Sequence, residues 1–234
     1  MSLYFWINIL SISVPFLVSF HPRIKLYKKW GALFLSMIIS MIPFIVWDVC
    51  FTEKEYWGFN PEYIAQIYWF QLPIEEWLFF ICIPYACIFM HLALLELSDK
   101  WIVKQKTANY ITYSLFALFL TVLIFNTSKM YTLIDMSYGI LVLAHVFYWK
   151  KELLTKFYLT FLAMLVPFII VNGVLTGFGI PDEVVWYNDN QNLGIRFFTI
   201  PVEDFVYAFS MILSALYLFE VFKKKKIANL FQKK

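Results

Sequence analysis

Seven stretches of this chain are apolar for long enough to cross a bilayer, and that limits the fold more than any single motif does. They lie near Leu3–Phe20, Trp30–Cys50, Ile74–Leu97, Ala108–Phe125, Leu133–Trp149, Leu153–Val174 and Thr199–Phe222. In lipid every backbone N–H and C=O must find a partner within the protein, so segments of this length fold as helices rather than as open strands. With 62% hydrophobic and 15% charged residues, the composition is that of a membrane chain, not of a globular domain with an oversized core. No basic residues precede the first stretch and no small-residue cleavage pattern follows it, so it is expected to stay as a span rather than leave as a signal peptide. The expected fold class is an all-α, multi-pass protein of the cell membrane with seven transmembrane helices.

Lysine and arginine set the expected orientation, because positively charged loops are retained on the cytoplasmic side. Arg23, Lys25, Lys28 and Lys29 follow the first span, Lys100, Lys104 and Lys106 the third, and Lys150, Lys151 and Lys156 the fifth. Lys223 to Lys226, Lys233 and Lys234 form the tail, so 16 of the 19 basic residues fall on one side. Only Lys54, Lys129 and Arg196 remain for the other. The N-terminus is therefore expected outside and the C-terminus in the cytoplasm, with the basic tail against anionic lipid headgroups. The net charge of +3 is a topology signal, and no nucleic-acid partner follows from it.

One acidic motif occurs twice. Pro73-Ile74-Glu75-Glu76-Trp77-Leu78-Phe79 and, 128 positions later, Pro201-Val202-Glu203-Asp204-Phe205-Val206-Tyr207 each open an apolar stretch. A carboxylate at the centre of a membrane helix costs about 2.5–3.5 kcal/mol, so four acids in two matched places point to chemistry. The correspondence extends further. Pro43-Phe44-Ile45, Asp48 and Thr52 match Pro167-Phe168-Ile169, Asn172 and Thr176 at an offset of 124; Phe59-Asn60 and Pro73 match Tyr187-Asn188 and Pro201 at 128. This predicts two repeats of three spans, residues 1–97 and 129–234, joined by a linker span within 98–128. An extra crossing between them makes the repeats parallel, which places both acidic motifs at one depth.

A plain structural reading accounts for part of the motif. Proline is favoured at helix starts, and an acid just beyond it meets free N–H groups and the positive end of the helix dipole. That explains one acid, but not two consecutive acids, nor aromatics arranged the same way after both. Phe79 follows Glu75, and Tyr207 follows Glu203, by four residues, one turn along the same face. Trp77 and Phe205 also correspond. Carboxyls crowded into a dry pocket cannot all ionise, so some keep a proton at neutral pH. Aromatic faces attract cations. Together these are what is needed to protonate an alkene and shelter the carbocation that forms.

These residues resemble the membrane-embedded lycopene cyclases of bacteria, archaea and fungi, which occur as two small subunits or as one fused chain. The resemblance rests on Pro73-Ile74-Glu75-Glu76 with Phe79, Pro201-Val202-Glu203-Asp204 with Tyr207, Trp47-Asp48, and Asn172-Gly173-Val174-Leu175-Thr176. It covers most of the chain and matches the fused form. It implies that an acid protonates the terminal double bond of linear lycopene, the neighbouring alkene captures the cation, and a base removes a ring proton. No net redox change occurs, and the β ring is the expected product. Glu75 and Glu203 are the expected leading carboxyls, with Glu76 and Asp204 tuning them. Trp77, Phe79, Phe205 and Tyr207, with Asp48, Asn60, Asn172 and Asn188, are the expected substrate-side residues. Family members commonly carry Asp where this chain has Asn172, which removes a possible ion there. The resemblance also implies contacts with other enzymes of carotenoid synthesis.

No cofactor or metal is expected. The chain lacks a Gly-x-Gly-x-x-Gly stretch behind a strand, and Cys50, Cys82 and Cys87 lack ligand spacing. His91 and His145 are read as structural histidines, and Asp135 receives no role. The alternative reading is a seven-span proton-coupled transporter or a membrane protein that binds a lipophilic ligand, since repeated halves and buried acids also build transporters. Against it, these acids start helices near one surface, and no span carries a central Gly-interrupted ion site.

Overall fold

The computed structural model describes residues 1–231, with side chains described through Lys223, so the tail lysines from Lys224 onward lie outside the described side chains. Six helices carry the fold: α1 (Leu3–Val18), α2 (Trp30–Glu53), α3 (Ile74–Leu97), α4 (Gln105–Phe125), α5 (Met130–Leu175) and α6 (Glu203–Phe231). Among the described residues five helical segments are long and apolar enough to cross a membrane, and α1 is a shorter apolar helix of 16 residues. At the usual rise per residue, α1 reaches only about 24 Å.

The two stretches expected at Leu133–Trp149 and Leu153–Val174 run together as α5, whose 46 residues are interrupted where Lys150 leaves helical geometry (φ −151°, ψ 48°). An unbroken helix of that length would extend about 69 Å, more than twice a hydrocarbon core. Lys150 and Lys151 mark the break because two adjacent ammonium groups are costly in lipid.

The chain is not purely helical. Three short antiparallel ladders lie between the helices: β1 (Trp57–Phe59) with β4 (Val185–Tyr187), β2 (Tyr68–Trp69) with β3 (Leu72–Pro73), and β5 (Arg196–Phe197) with β6 (Ile200–Pro201). The last correction follows from these: α6 starts at Glu203, not near Thr199, because Ile200 and Pro201 are committed to a strand. The hairpin tips use left-handed backbone at Phe70, Gln71 and Phe198.

Packing draws the two halves of the chain together. Helix α1 lies on α3, α2 on α6, and α5 contacts both α4 and α6. The β1–β4 ladder pairs Trp57 with Tyr187, Gly58 with Trp186 and Phe59 with Val185. Gly58 makes room for the Trp186 indole, since a Cβ would lie 2.4 Å from its Cζ2.

Candidate functional site: an acidic cavity between the two halves

Each acidic motif opens a helix. Pro73 caps α3 in extended geometry, and Glu75 and Glu76 occupy its first turn; Glu203 and Asp204 occupy the first turn of α6. All four are buried. Adjacent residues on a helix point about 100° apart, so the two acids of each pair face different surroundings.

The first acids face the loops. Glu75 Oε1 accepts from the Ala65 N–H at 2.7 Å and from the Ser2 hydroxyl. Glu203 Oε1 accepts from the Leu193 N–H at 2.7 Å and from the Thr132 hydroxyl at 2.6 Å. In each case the acid ties a long loop and the start of a neighbouring helix to its own helix start.

The second acids face a shared cavity of about 430 Å³, lined by Glu76 and Asp204 but by neither Glu75 nor Glu203. The sequence puts Glu75 and Glu203 first; the cavity is reached by their neighbours. Glu76 accepts from the Tyr4 hydroxyl, and its carboxyl lies close enough to that of Asp48 for each to feel the other's charge. Asp48 Oδ1 also accepts from Trp57 Nε1 at 2.6 Å, while no N–H or O–H reaches Oδ2. Two neighbouring buried carboxyls repel when both are ionised, and one proton between them relieves that. Asp204 is held differently: Oδ1 accepts from the Tyr131 hydroxyl at 2.5 Å, and Oδ2 from Asn172 Nδ2 at 2.7 Å and the Tyr187 hydroxyl at 3.0 Å. Three donors and no facing acid suit an ionised carboxylate. Asn172 thus takes toward Asp204 the place that Asp48 takes toward Glu76.

Tyr187 lies on β4, between the helices. Burial, with the Asp204 charge beside it, holds its phenol well above the usual value of 10.0, so it stays a hydrogen-bond donor. The rings around the acids pack closely: Tyr207 lies 4.9 Å from Phe44 and 5.1 Å from Trp47, and Trp57 meets Tyr131 edge-on at 5.0 Å. Away from the acids the cavity is apolar, bounded by side chains such as Ile83, Met90, Met164 and Met211. Leu10 and Val14 of α1 also line it, and they are 67% and 64% exposed, so the cavity reaches the outer surface of the bundle beside α1.

The remaining expected residues divide cleanly. Phe79, Tyr207, Asp48 and Asn172 line the cavity. Trp77 does not; its ring packs at a tilt against Trp69 at 4.5 Å, and it donates to the Trp69 carbonyl of the β2–β3 hairpin. Phe205 packs between Phe168 and Phe197 at 5.0 and 5.9 Å. Asn60 and Asn188 organise turns, accepting from the N–H groups of Glu62 and Asn190. His91 pairs with Thr160 at 2.7 Å, joining α3 to α5. Sequence reasoning missed Tyr4, Trp57, Tyr131 and Tyr187. A signal existed for two of them: Tyr4 precedes Glu76 by 72 residues and Tyr131 precedes Asp204 by 73. Among the described residues no group of three or more His, Cys, Asp or Glu side chains is placed to hold a metal ion.

The helices and the cavity define a membrane protein with a carboxyl-bearing, aromatic-lined site for an apolar molecule. The family model described as lycopene cyclase matches residues 1–94 and 128–222, and the chain belongs to that family. Membership supports an enzyme that cyclises lycopene and a lipophilic carotenoid as its substrate. No curated protein and no solved structure matches the chain.

Proposed function

We propose that this protein converts linear lycopene to a cyclic carotene of the β type, as an intramolecular lyase of the isomerase class, by acid–base chemistry at the cavity acids. The observation that carries this reading is the unlike pairing of the two acids: Glu76 meets a second carboxyl, whereas Asp204 meets only donors. The proton held between Asp48 and Glu76 passes to the terminal double bond of the substrate. The tertiary carbocation is attacked by the neighbouring alkene, closing the ring. Asp204 stabilises the positive charge and accepts the ring proton, forming the product double bond. The cycle closes when a proton returns from Asp204 to the Asp48–Glu76 pair, so the reaction consumes no proton and no electrons.

Each part of the wall has a task. Phe79, Tyr207 and Trp57 line the cavity beside the acids and stabilise the cation by cation–π attraction, which reaches about 2 kcal/mol when water is displaced. Glu75 and Glu203 hold the loops and helix starts that aim Glu76 and Asp204, which moves the leading catalytic role to the second acid of each motif. Asn172 orients Asp204 without adding a competing acid. Trp77 and Phe205 steady the hairpins, and Asn60 and Asn188 the turns beneath them. The hydrocarbon enters from the lipid beside Leu10 and Val14.

The same reading carries a topology. Residues 1–97 and 129–234 act as parallel repeats of three crossings, with α4 as linker and α5 as two crossings separated at Lys150. Seven crossings then put the N-terminus outside and the C-terminus in the cytoplasm of the cell membrane. The matched anchors of Glu75 and Glu203 support this arrangement.

The test is expression in a lycopene-accumulating host that lacks any other cyclase, followed by chromatography of the pigments. Conversion to β-ring carotene by the wild type, lost in Glu76→Gln and in Asp204→Asn, is the expected result. Unchanged lycopene in the wild-type strain, with the protein present in its membranes, would reject the activity in favour of a carrier.

A further inference from the structure

One buried acid has no part in this scheme. Asp135 stands on α5 one turn beyond Tyr131, 0% exposed, and no N–H or O–H reaches either of its carboxyl oxygens. It does not line the cavity, and the charges it senses are those of Glu203 and Asp204. An ionised carboxylate in such a place would lose its hydration, gain no partner and face two like charges. A carboxylic acid has the opposite need, since its O–H requires an acceptor.

The first half of the chain shows where that acceptor lies. Tyr4 donates to Glu76 as Tyr131 donates to Asp204, and one turn beyond Tyr4 stands Asn8, also 0% exposed. Asn8 Nδ2 donates to the main-chain carbonyl of Glu75 at 2.9 Å. Asn8 and Asp135 therefore hold the same place relative to the helix that carries the acids. An amide and a protonated carboxyl share one planar shape, and each can present a donor in that direction.

We propose that Asp135 is a positioning residue held as a neutral carboxylic acid, whose O–H donates to the main-chain carbonyl of Glu203 as the Asn8 amide does to Glu75. This bond pins the first turn of α6 against α5, and with it the carboxylate of Asp204. The inference rests on the matching of the two halves and on the role given to Asp204 above. Small displacements of a reacting group are expensive, so a donor that fixes this turn acts on turnover without touching the substrate.

The test compares wild type, Asp135→Asn and Asp135→Leu in membranes by lycopene conversion, by melting in detergent and by infrared spectroscopy. Asp135→Asn supplies the same donor and should keep conversion and melting temperature. Asp135→Leu should lower conversion roughly tenfold and melt earlier. The wild-type minus Asp135→Asn infrared difference should contain the carbonyl band of a protonated carboxyl and lack a carboxylate band pair. A carboxylate pair, equal loss of conversion in both variants, or full conversion by Asp135→Leu would overturn the proposal. If Asp135→Leu does not accumulate, the infrared spectrum decides. Should wild type itself leave lycopene unchanged, the cyclase reading fails, while the infrared band and the order of melting temperatures still judge Asp135.

Discussion

Asp48 on α2 and Glu76 on α3 meet carboxyl to carboxyl, with Trp57 donating to one and Tyr4 to the other. Removing either acid leaves nothing for the shared proton to bridge. Glu76→Gln and Asp48→Asn are each expected to lower cyclisation by roughly 10²–10⁴-fold, the usual range for a general acid. Glu75→Gln should cost much less, because an amide oxygen still accepts from Ala65 and Ser2. Pigment chromatography of the three strains, normalised to membrane protein, checks the order. Equal loss in Glu75→Gln would return the leading role to the first acid.

Tyr131→Phe removes one of three donors from Asp204 and leaves the ring in place against Trp57. A hydrogen bond to a charged group is worth about 1.5–3 kcal/mol, so turnover should fall roughly 10–100-fold. Initial rates on lycopene in membranes measure this. Wild-type rates would mean that Asp204 does not work as a carboxylate.

Gly58→Ala drives a methyl group to 2.4 Å from the Trp186 ring, in the ladder that joins the two halves. The strands must separate or the indole must turn, at a cost of about 1–3 kcal/mol. A lower melting temperature in detergent is expected together with lower conversion, since Trp57 and Tyr187 flank this position. A variant that melts like the wild type would show that the ladder yields easily.

Tyr187 makes a prediction about alkaline pH. Its folded phenol titrates above the unfolded value of 10.0, so unfolding releases a proton once the pH exceeds that value. The stability that Tyr187 contributes is therefore complete below pH 10.0 and declines above it. Melting temperatures across that range should fall less steeply in Tyr187→Phe than in wild type. Parallel curves would place the titration elsewhere.

The positions legible in the sequence were those that a bilayer makes expensive. The four acids, Asp48 and Asn172 stood out against apolar surroundings, and Phe79 and Tyr207 were found through their spacing from the acids. The same spacing pointed to Glu75 and Glu203, whereas Glu76 and Asp204 are the acids that line the cavity. Phe79 lies four residues from Glu75 but three from Glu76, and both separations share a helix face. What decides between them is the loop amide of Ala65 that claims Glu75, a contact made through a hairpin whose strands are two residues long. Tyr4, Tyr131 and Tyr187 were hidden for another reason: the chain has 15 tyrosines, and hydropathy does not tell which hydroxyl turns inward. Trp77 and Phe205 correspond in sequence, and both pack against hairpins rather than lining the cavity.

The three-residue ladder between β1 and β4 sets Trp57, which serves Asp48, opposite Tyr187, which serves Asp204. Slipping it by one residue would turn alternate side chains to the opposite face and unhook one donor from its acid. If the polypeptide were cut within residues 98–128, the two pieces would have to find each other as separate molecules. Those few main-chain bonds, with the α2–α6 contact behind them, would then become a docking code, one that brings the Asp48–Glu76 pair and Asp204 to one cavity in a fixed ratio of one to one.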